Sequence, residues 1–224
     1  MLNQKQFIYP YTFENRAPCI FDRVVFIPSF YFKHEEFNMP EFSSEEVFGN
    51  SNPVHVEFCS GNGEWIVQKA IDHPEVNWIA SEIKFYRVRK IWVKIKQLNL
   101  KNLIVAFGDA NDFIRYYLKD HSIDAISINF PDPWPKEKHA KNRLIKAPFT
   151  AEMRRILKPS CQATVVTDHE GYSLQVIEEM LHEFSSAFPE PFYINQNIEY
   201  GSSYFYRLFE SRGKEIRKMQ FNPL

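Results

Sequence analysis

From residue 54 onward, short apolar runs alternate with segments in which apolar residues recur every three or four positions. The short runs are rich in branched side chains and predict buried strands, and the recurring pattern predicts helices that pack against them. The predicted strands are residues 54–58, 77–81, 102–107, 123–130 and 161–167, with later candidates at 192–197 and 203–209. The predicted helices are residues 64–72, 85–98, 111–119, 148–157 and 172–184. Repeated strand–helix units of this length predict an α/β fold with a doubly wound, mostly parallel sheet.

The first fifty residues lack any sustained hydrophobic period and are rich in aromatic residues and prolines. They end in an acidic segment, residues 41–46. We therefore predict an N-terminal arm, residues 1–50, that packs its aromatic side chains on one following domain, residues 51–224.

Composition is that of a globular protein with an ordinary core. Of the 224 residues, 44% are hydrophobic and 25% are charged, which is normal for a soluble domain. Apolar runs stay shorter than the roughly twenty residues of a membrane span, and the first residues lack the apolar stretch of a signal peptide. The three cysteines, Cys19, Cys59 and Cys161, are odd in number and far apart. We expect buried, reduced thiols in a cytoplasmic protein, and the sequence indicates no membrane contact and no obligate protein partner.

Charge is unevenly distributed, although the formal net charge is only −1. Residues 83–108 contain seven basic residues and no acidic one, and residues 136–158 contain eight basic residues against two acidic ones. One such segment alone is commonly the solvated face of a helix. The two together favour binding to a polyanion, RNA or DNA.

Five acidic residues lie at or near the carboxyl ends of successive predicted strands: Glu57, Glu82, Asp109, Asp132 and Asp168. In an open α/β sheet, the carboxyl ends of the parallel strands face one crevice. Carboxylates there can bind a metal ion, but the seven histidines show no grouping and no two of these acids are close in sequence. Ribose hydroxyls and the amines of a cationic cofactor therefore fit the spread of the acids better.

The turn Ser60-Gly-Asn-Gly63 follows the first predicted strand of this series. It is not the dinucleotide fingerprint, because Ile66 stands where the third glycine is required, and it lacks the Lys-Ser/Thr of a P-loop. Alone, the turn is equally well explained as a tight structural turn. Glu82 ends the next predicted strand, where a ribose would lie. The turn and Glu82 together therefore favour a nucleotide site.

Three prolines in five residues interrupt the chain after the fourth predicted strand, in Phe130-Pro-Asp-Pro-Trp-Pro-Lys136. Proline fixes φ and lacks a backbone donor, so neither helix nor sheet can continue. The result is a stiff loop that holds Asp132 and Trp134. The cationic residues that follow are Lys136, Lys138, His139, Lys141 and Arg143. A surface turn with a solvated basic tail is the simpler interpretation, but the prolines around Asp132 favour a site for a planar base attached to phosphates.

This segment resembles the signature of the bacterial tRNA (guanine-N7)-methyltransferases. The resemblance extends to Val56-Glu-Phe-Cys-Ser-Gly-Asn-Gly63, Ser81-Glu-Ile83, Gly108-Asp-Ala110 and Thr167-Asp168, and so spans about residues 54–170. It implies a class I methyltransferase fold with a seven-stranded, Rossmann-like sheet. It also implies S-adenosyl-L-methionine as the methyl donor and guanine 46 in the variable loop of tRNA as the target.

The resemblance also implies roles for individual residues. Glu57, Glu82, Asp109 and Asp132 match the cofactor-binding acids of the family, Asp132 also matches its catalytic residue, and Lys136 and Asp168 match its substrate contacts. The sequence departs from the family where Cys59 replaces a glycine, Glu137 a basic residue and Asn142 an arginine. Near the C-terminus the family has Thr-x-x-Glu, whereas the segment after Ser203 offers no acid at that spacing.

The expected chemistry needs no Ser–His or Cys–His pair. Guanine N7 carries an in-plane lone pair and no proton, so its attack on a methyl group requires no general base. Asp132 can either stabilise the positive charge that develops on the ring or only orient the base through its N1 and N2 hydrogens. Two other classes stay open: a methyltransferase with another target, and a non-catalytic RNA-binding protein on the same scaffold. The glycine pattern disfavours a nicotinamide dehydrogenase.

Overall fold

The computed structural model describes residues 3–201 and 203–224. Met1 and Leu2, the first residues of the predicted arm, lie outside the described residues, as does Ser202. The chain forms two compact units, Met1–Lys119 and Asp120–Leu224. Each unit contains parallel strands covered by helices, so the predicted α/β class is confirmed.

The first unit contains five strands: β1 (Cys19–Phe21), β2 (Val24–Phe26), β3 (Val54–Phe58), β4 (Asn77–Glu82) and β5 (Leu103–Phe107). Its helices are α1 (Glu64–Asp72), α2 (Phe85–Gln97) and α3 (Ala110–Tyr117), with short 3-10 turns at Gln4–Gln6 and His34–Glu36. β4 lies between β3 and β5, and all three are parallel. β2 pairs with β5 in parallel, and β1 pairs with β2 in an antiparallel hairpin.

Helix α2 packs on this unit because its apolar residues recur at helical spacing. Val88, Ile91, Trp92 and Ile95 are all buried. Phe7 reaches the same core from the N-terminal segment, with its ring centroid 4.6 Å from that of Trp92. Phe7 therefore packs an aromatic side chain of the N-terminal segment on this core.

The second unit contains four strands: β6 (Ile123–Asn129), β7 (Leu157–Thr167), β8 (Phe184–Ser186) and β9 (Arg217–Pro223). Its helices are α4 (Ala147–Ile156), α5 (Glu170–Met180) and α6 (Tyr204–Ser211), and a 3-10 helix spans Glu137–Asn142. β6 and β7 are parallel, and β9 runs antiparallel between β7 and β8. In β9, alternate residues Arg217, Met219 and Phe221 are buried, as a half-buried strand requires.

Two late strand predictions are wrong. Residues 203–209 belong mostly to helix α6, because the Ser203 hydroxyl accepts a hydrogen bond from the backbone N–H of Tyr206 and caps the helix. Residues 192–197 contain one isolated bridge, from Ile194 to Lys218. The final strand of the unit is instead β9, which the sequence pattern did not reveal.

Helix α4 ends at Ile156 and β7 begins at the next residue, so Pro159 lies inside a strand that was predicted to start after it. The pairing of β6 with β7 shifts register between Ile123 and Ala125. A proline is tolerated at such an irregularity because no ladder hydrogen bond is needed there.

The described residues contain nine strands, whereas the resemblance implied seven. The hairpin of β1 and β2 accounts for the two additional strands. Among the described residues the three cysteines form no disulfide and are only half-buried, so the predicted thiols are less buried than expected. Within the described residues, every helix is too short or too polar to traverse a bilayer.

Candidate active site

The strand register of the first unit brings Glu57, Glu82 and Asp109 to one edge. Glu57 pairs with Ala80 on β4, and Glu82 pairs with Phe107 at the end of β5. Asp109 follows two residues after Phe107. The carboxyl ends of three neighbouring parallel strands therefore each carry an acid.

Glu82 is only 4% exposed and has hydrogen-bond partners on both carboxylate oxygens. Its Oε2 accepts a hydrogen bond from the backbone N–H of Gly61 at 2.9 Å, and its Oε1 accepts one from Lys84 N–H at 2.8 Å. Arg87 Nη1 lies 3.5 Å from Oε2. One carboxylate thus links the turn after β3 to the start of α2. Glu82 therefore places a buried carboxylate at this edge.

The turn after β3 adopts left-handed backbone conformations, with φ of 64° at Cys59, 58° at Gly61 and 70° at Gly63. At Gly63 a Cβ atom would lie 2.5 Å from Ile91 Cγ1, so only glycine lets α2 approach so closely. Cys59 adopts the same conformation with a side chain. This accounts physically for the glycine that the family usually has at this position.

Glu57 and Asp109 are held differently from Glu82. Glu57 is only 2% exposed, and its backbone carbonyl accepts a hydrogen bond from Ser60 Oγ at 2.9 Å. Asp109 is half-buried and caps helix α3 through a 2.8 Å hydrogen bond from Asn111 N–H. Burial raises the pKa of nearby Asp112, and the charge of Asp109 adds to this shift. Glu57 and Asp109 therefore add two further carboxylates to this edge.

Two cations of α2 have partners inside the unit. Lys94 Nζ donates a 2.8 Å hydrogen bond to the carbonyl of Asn62 in the turn after β3, and burial lowers the pKa of Lys94. Arg87 faces Glu82. The basic face of α2 is thus only partly available to a polyanion, and these two residues also support the edge that carries the acids.

In the second unit, Asp132 lies on the proline-rich loop that follows β6. The loop begins at Phe130 and turns at Trp134, both with positive φ, 47° and 41°. Asp132 Oδ1 accepts a 3.2 Å hydrogen bond from Trp134 N–H, and the residue is exposed. Its carboxylate is therefore fixed by its own loop while it stays accessible.

The loop is anchored at both ends by side chains of the same unit. The ring of Phe130 packs against Tyr200 and Phe209, with centroids 5.8 Å and 5.5 Å away. Arg143 Nε donates a 2.8 Å hydrogen bond to the carbonyl of Pro133, and its Nη1 donates to Gln175 Oε1 on α5. Arg143 was predicted among the phosphate-binding cations, but the structure shows it bracing the loop. The sequence carries no signal for this contact, because Pro133 and Gln175 lie far from Arg143 along the chain.

The other residues predicted to contact the substrate lie in the same unit. Lys136 is exposed. His139 meets the edge of the Trp134 ring at a centroid distance of 5.9 Å. Asp168 is half-buried at the carboxyl end of β7, which pairs with β6. Asp132 and Asp168 therefore follow two adjacent parallel strands, whereas Glu57 and Glu82 lie within the last residues of β3 and β4.

Arg217 is a buried arginine next to the strand end that carries Asp168, and the sequence did not predict its role. Arg217 pairs in register with Thr167 and is 7% exposed. Its guanidinium contacts Glu215 at 2.9 Å and Glu170 at 3.1 Å, and so ties the start of α5 to β9. A buried arginine needs such partners, but the local sequence around Arg217 does not predict which residues they are.

The segment that replaces the family's Thr-x-x-Glu contains a cluster of hydroxyl groups. Tyr200 Oη donates a 3.1 Å hydrogen bond to Ser203 Oγ, and the rings of Tyr200 and Tyr206 stack with centroids 5.1 Å apart. Ser203 itself is buried. The described residues of this segment thus carry tyrosine and serine hydroxyls and no carboxylate at that spacing.

Comparison with solved structures identifies the fold. An antibiotic-related methyltransferase superposes with a TM-score of 0.60 at 19% identity, over 84% of this chain and 96% of that one. The 16S rRNA methyltransferase KamB gives a TM-score of 0.60 at 15% identity, over 84% and 95%. A family model described as "Putative methyltransferase" matches residues 51–219. The fold is that of the class I methyltransferases.

Curated relatives narrow the assignment. A tRNA (guanine-N(7)-)-methyltransferase of Chlamydia caviae is 42% identical over 212 residues, which are 95% of this chain and 94% of the relative. An enzyme of the same name from Staphylococcus aureus is 33% identical over 181 residues, 78% and 82% of the two chains. The chain therefore belongs to the tRNA (guanine-N7)-methyltransferase family, and the resemblance read from its sequence is confirmed.

Proposed function

We propose that this chain transfers a methyl group from S-adenosyl-L-methionine to N7 of guanine 46 in the variable loop of tRNA. The observation that carries the proposal is the 42% identity over 95% of the chain to a tRNA (guanine-N(7)-)-methyltransferase. The cytoplasm, where tRNA and its modifying enzymes meet, is the proposed location.

The acids of the first unit fit this cofactor. A carboxylate offers about four acceptor positions, and the backbone N–H groups of Gly61 and Lys84 engage only part of the capacity of Glu82. The remainder suits ribose hydroxyls. Glu57 and Asp109 supply further negative charge for a ligand that carries an ammonium and a sulfonium group. When bound, the cofactor supplies an electrophilic methyl group.

The residues of the second unit suit the base. Guanine N7 needs no proton removed, so the protein has only to position the ring and stabilise the charge that it acquires. Asp132 is exposed, ionisable and held by a stiff loop, which is what a preorganised electrostatic partner requires. We assign it the catalytic role, with Lys136 as a phosphate contact and Asp168 as a second contact to the substrate.

Mapping the methylated base tests the proposal. The purified protein is incubated with S-adenosyl-L-methionine and a tRNA transcript, which is then cleaved chemically at N7-methylguanine. We expect a single cleavage at position 46, and none in a transcript that carries adenine there. A methyl group on another atom or another nucleotide would contradict the assignment, and no methylation with intact RNA binding would favour a non-catalytic RNA-binding protein.

A further inference from the structure

The N-terminal segment is fastened to helix α2 of the first unit. Asn3 and Gln6 close a capping box around the 3-10 turn Gln4–Gln6, with hydrogen bonds of 3.0 Å and 2.9 Å. Phe7 then enters the core, and Arg89 Nε donates a 2.7 Å hydrogen bond to its carbonyl. These contacts fix the position of Lys5 relative to α2, although the two are more than eighty residues apart in sequence.

A surface cleft of about 690 Å³ lies between this turn and α2. Three lysines and three amides line it together with one apolar side chain: Lys5, Lys90, Lys94, Asn3, Gln4, Gln97 and Val93. None of the described residues lining the cleft is acidic. Glu64 is the acid whose charge acts on Lys94 from nearby. The cleft therefore concentrates positive charge in a chain whose net charge is −1.

We propose that this cleft binds the sugar–phosphate backbone of RNA. The proposal rests on the proposed function, since the RNA is the tRNA substrate. Lysine is a compact point charge suited to phosphate oxygens, and the amide side chains add hydrogen-bond donors. The described residues of the lining include no aromatic ring on which a base could stack, which favours a contact to the backbone that does not depend on sequence.

The lysines have capacity for this contact. An ammonium group has three donors, and Lys94 uses one of them on the carbonyl of Asn62. Burial lowers the pKa of Lys94, and the neighbouring charge of Lys90 lowers it further. The negative charge of a bound phosphate would act in the opposite direction and favour the charged ammonium. Lys5 is exposed and Lys90 half-buried, so these two can be altered without disturbing the turn after β3.

The test replaces both of these lysines by glutamine, Lys5→Gln with Lys90→Gln. The matched control is Lys101→Gln with Lys214→Gln, which removes the same charge at two exposed lysines outside the cleft. Affinity for tRNA is measured over a range of salt concentrations, and affinity for S-adenosyl-L-methionine by calorimetry. We expect the cleft variant to bind tRNA about tenfold more weakly. The slope of log affinity against log salt concentration should also become shallower by about one to two, because fewer counterions are released. Cofactor affinity should not change.

A cleft variant whose tRNA affinity and salt slope match those of the control would overturn the proposal. Methylation by the unaltered protein separates this failure from that of the proposed function. If the unaltered protein methylates guanine 46 while the cleft variant behaves like the control, only the cleft assignment is wrong. If the cleft variant loses tRNA affinity but the unaltered protein leaves guanine 46 unmethylated, only the proposed function is wrong.

Discussion

The two units present acids at strand ends in opposite ways. In the first unit, Glu82 is buried, and its carboxylate accepts hydrogen bonds from two backbone N–H groups. In the second, Asp132 is exposed, accepts a hydrogen bond from within its own loop and depends on prolines and on Arg143 for its position. The sheet and its turns position the first acid, whereas covalent stiffness and one long side chain position the second. The difference fits the proposed roles, since backbone groups can enclose a small cofactor, whereas a residue proposed to contact a base within a folded RNA has to be accessible.

The largest expected effect is on the exposed acid. Asp132→Asn keeps the shape of the side chain and removes its charge, so the rate of methyl transfer should fall roughly a hundredfold or more, the scale of one preorganised electrostatic partner. Affinity for tRNA should change little, because phosphate contacts dominate it. Single-turnover methylation at saturating cofactor and tRNA measures the rate directly.

A surface carboxylate of the same unit provides the control for this variant. Glu178 is exposed on α5, and Glu178→Gln should leave the rate unchanged. If Asp132→Asn also transfers methyl at near the rate of the unaltered protein, Asp132 is only a structural residue of the loop. The proposed catalytic role of the second unit's exposed acid would then be wrong.

The next effect concerns the buried acid. Glu82→Ala should weaken binding of S-adenosyl-L-methionine by about 1–3 kcal/mol, the scale for hydrogen bonds to a charged group. Calorimetry on variant protein shown by circular dichroism to be folded measures this loss. Glu75→Ala, which removes an exposed carboxylate of the same unit, should not alter the affinity. Equal affinities for both variants would show that Glu82 serves only to hold the Gly61 turn.

A smaller effect tests how the Asp132 loop is held. Arg143→Lys keeps a positive charge but cannot contact Pro133 and Gln175 together, so the methylation rate should fall about three- to tenfold, the scale of one lost hydrogen bond. Its affinity for tRNA should persist. The exposed Lys141 offers the contrast, since Lys141→Gln should weaken tRNA binding and spare the rate. The reverse pattern would return Arg143 to the phosphate-binding residues.

The smallest effect is on stability, at Asp112 of the first unit. Burial raises the pKa of this carboxyl, the Asp109 charge adds to the shift, and His34 opposes it. The folded protein therefore keeps the proton at a pH where the unfolded chain has lost it, so stability is present at low pH and declines as pH rises through the raised pKa. Asp112→Asn should remove this decline. Denaturant unfolding at about pH 4 and about pH 7 measures the stability of both proteins at each pH. An Asp112→Asn variant whose stability depends on pH as that of the unaltered protein does would contradict the prediction.

The sequence predicted the regular part of the fold because local pattern and tertiary packing agree there. Strand β3 and helix α1 have the predicted bounds, and α2 differs by one residue at its end. The hairpin of β1 and β2 was missed because its turn is Asp22-Arg23, both with positive φ. Such turns are recognised by Asn-Gly or Asp-Gly. Here Arg23 offsets the strain with hydrogen bonds to the carbonyls of Val47 and Leu103.

The C-terminal segment misled the prediction for a related reason. Residues 204–209 are rich in aromatic side chains, which favour strands, but Phe205 and Phe209 stack on each other one helical turn apart, and Phe209 packs on Phe130. Tertiary contact therefore decides the structure. The same holds at the candidate site, where the acids were visible from their strand-end positions but the bracing residues Arg143 and Arg217 were not. Their partners are set only by the fold.

One measurement tests most directly whether the two units have different roles. The single-turnover rate of methylation is measured for Glu82→Ala and Asp132→Asn at saturating tRNA, while the concentration of S-adenosyl-L-methionine is raised. The account predicts that excess cofactor restores the rate of Glu82→Ala toward that of the unaltered protein and leaves Asp132→Asn about a hundredfold slow. Restoration of Asp132→Asn by cofactor, or a slow rate of Glu82→Ala that cofactor does not restore, would contradict it.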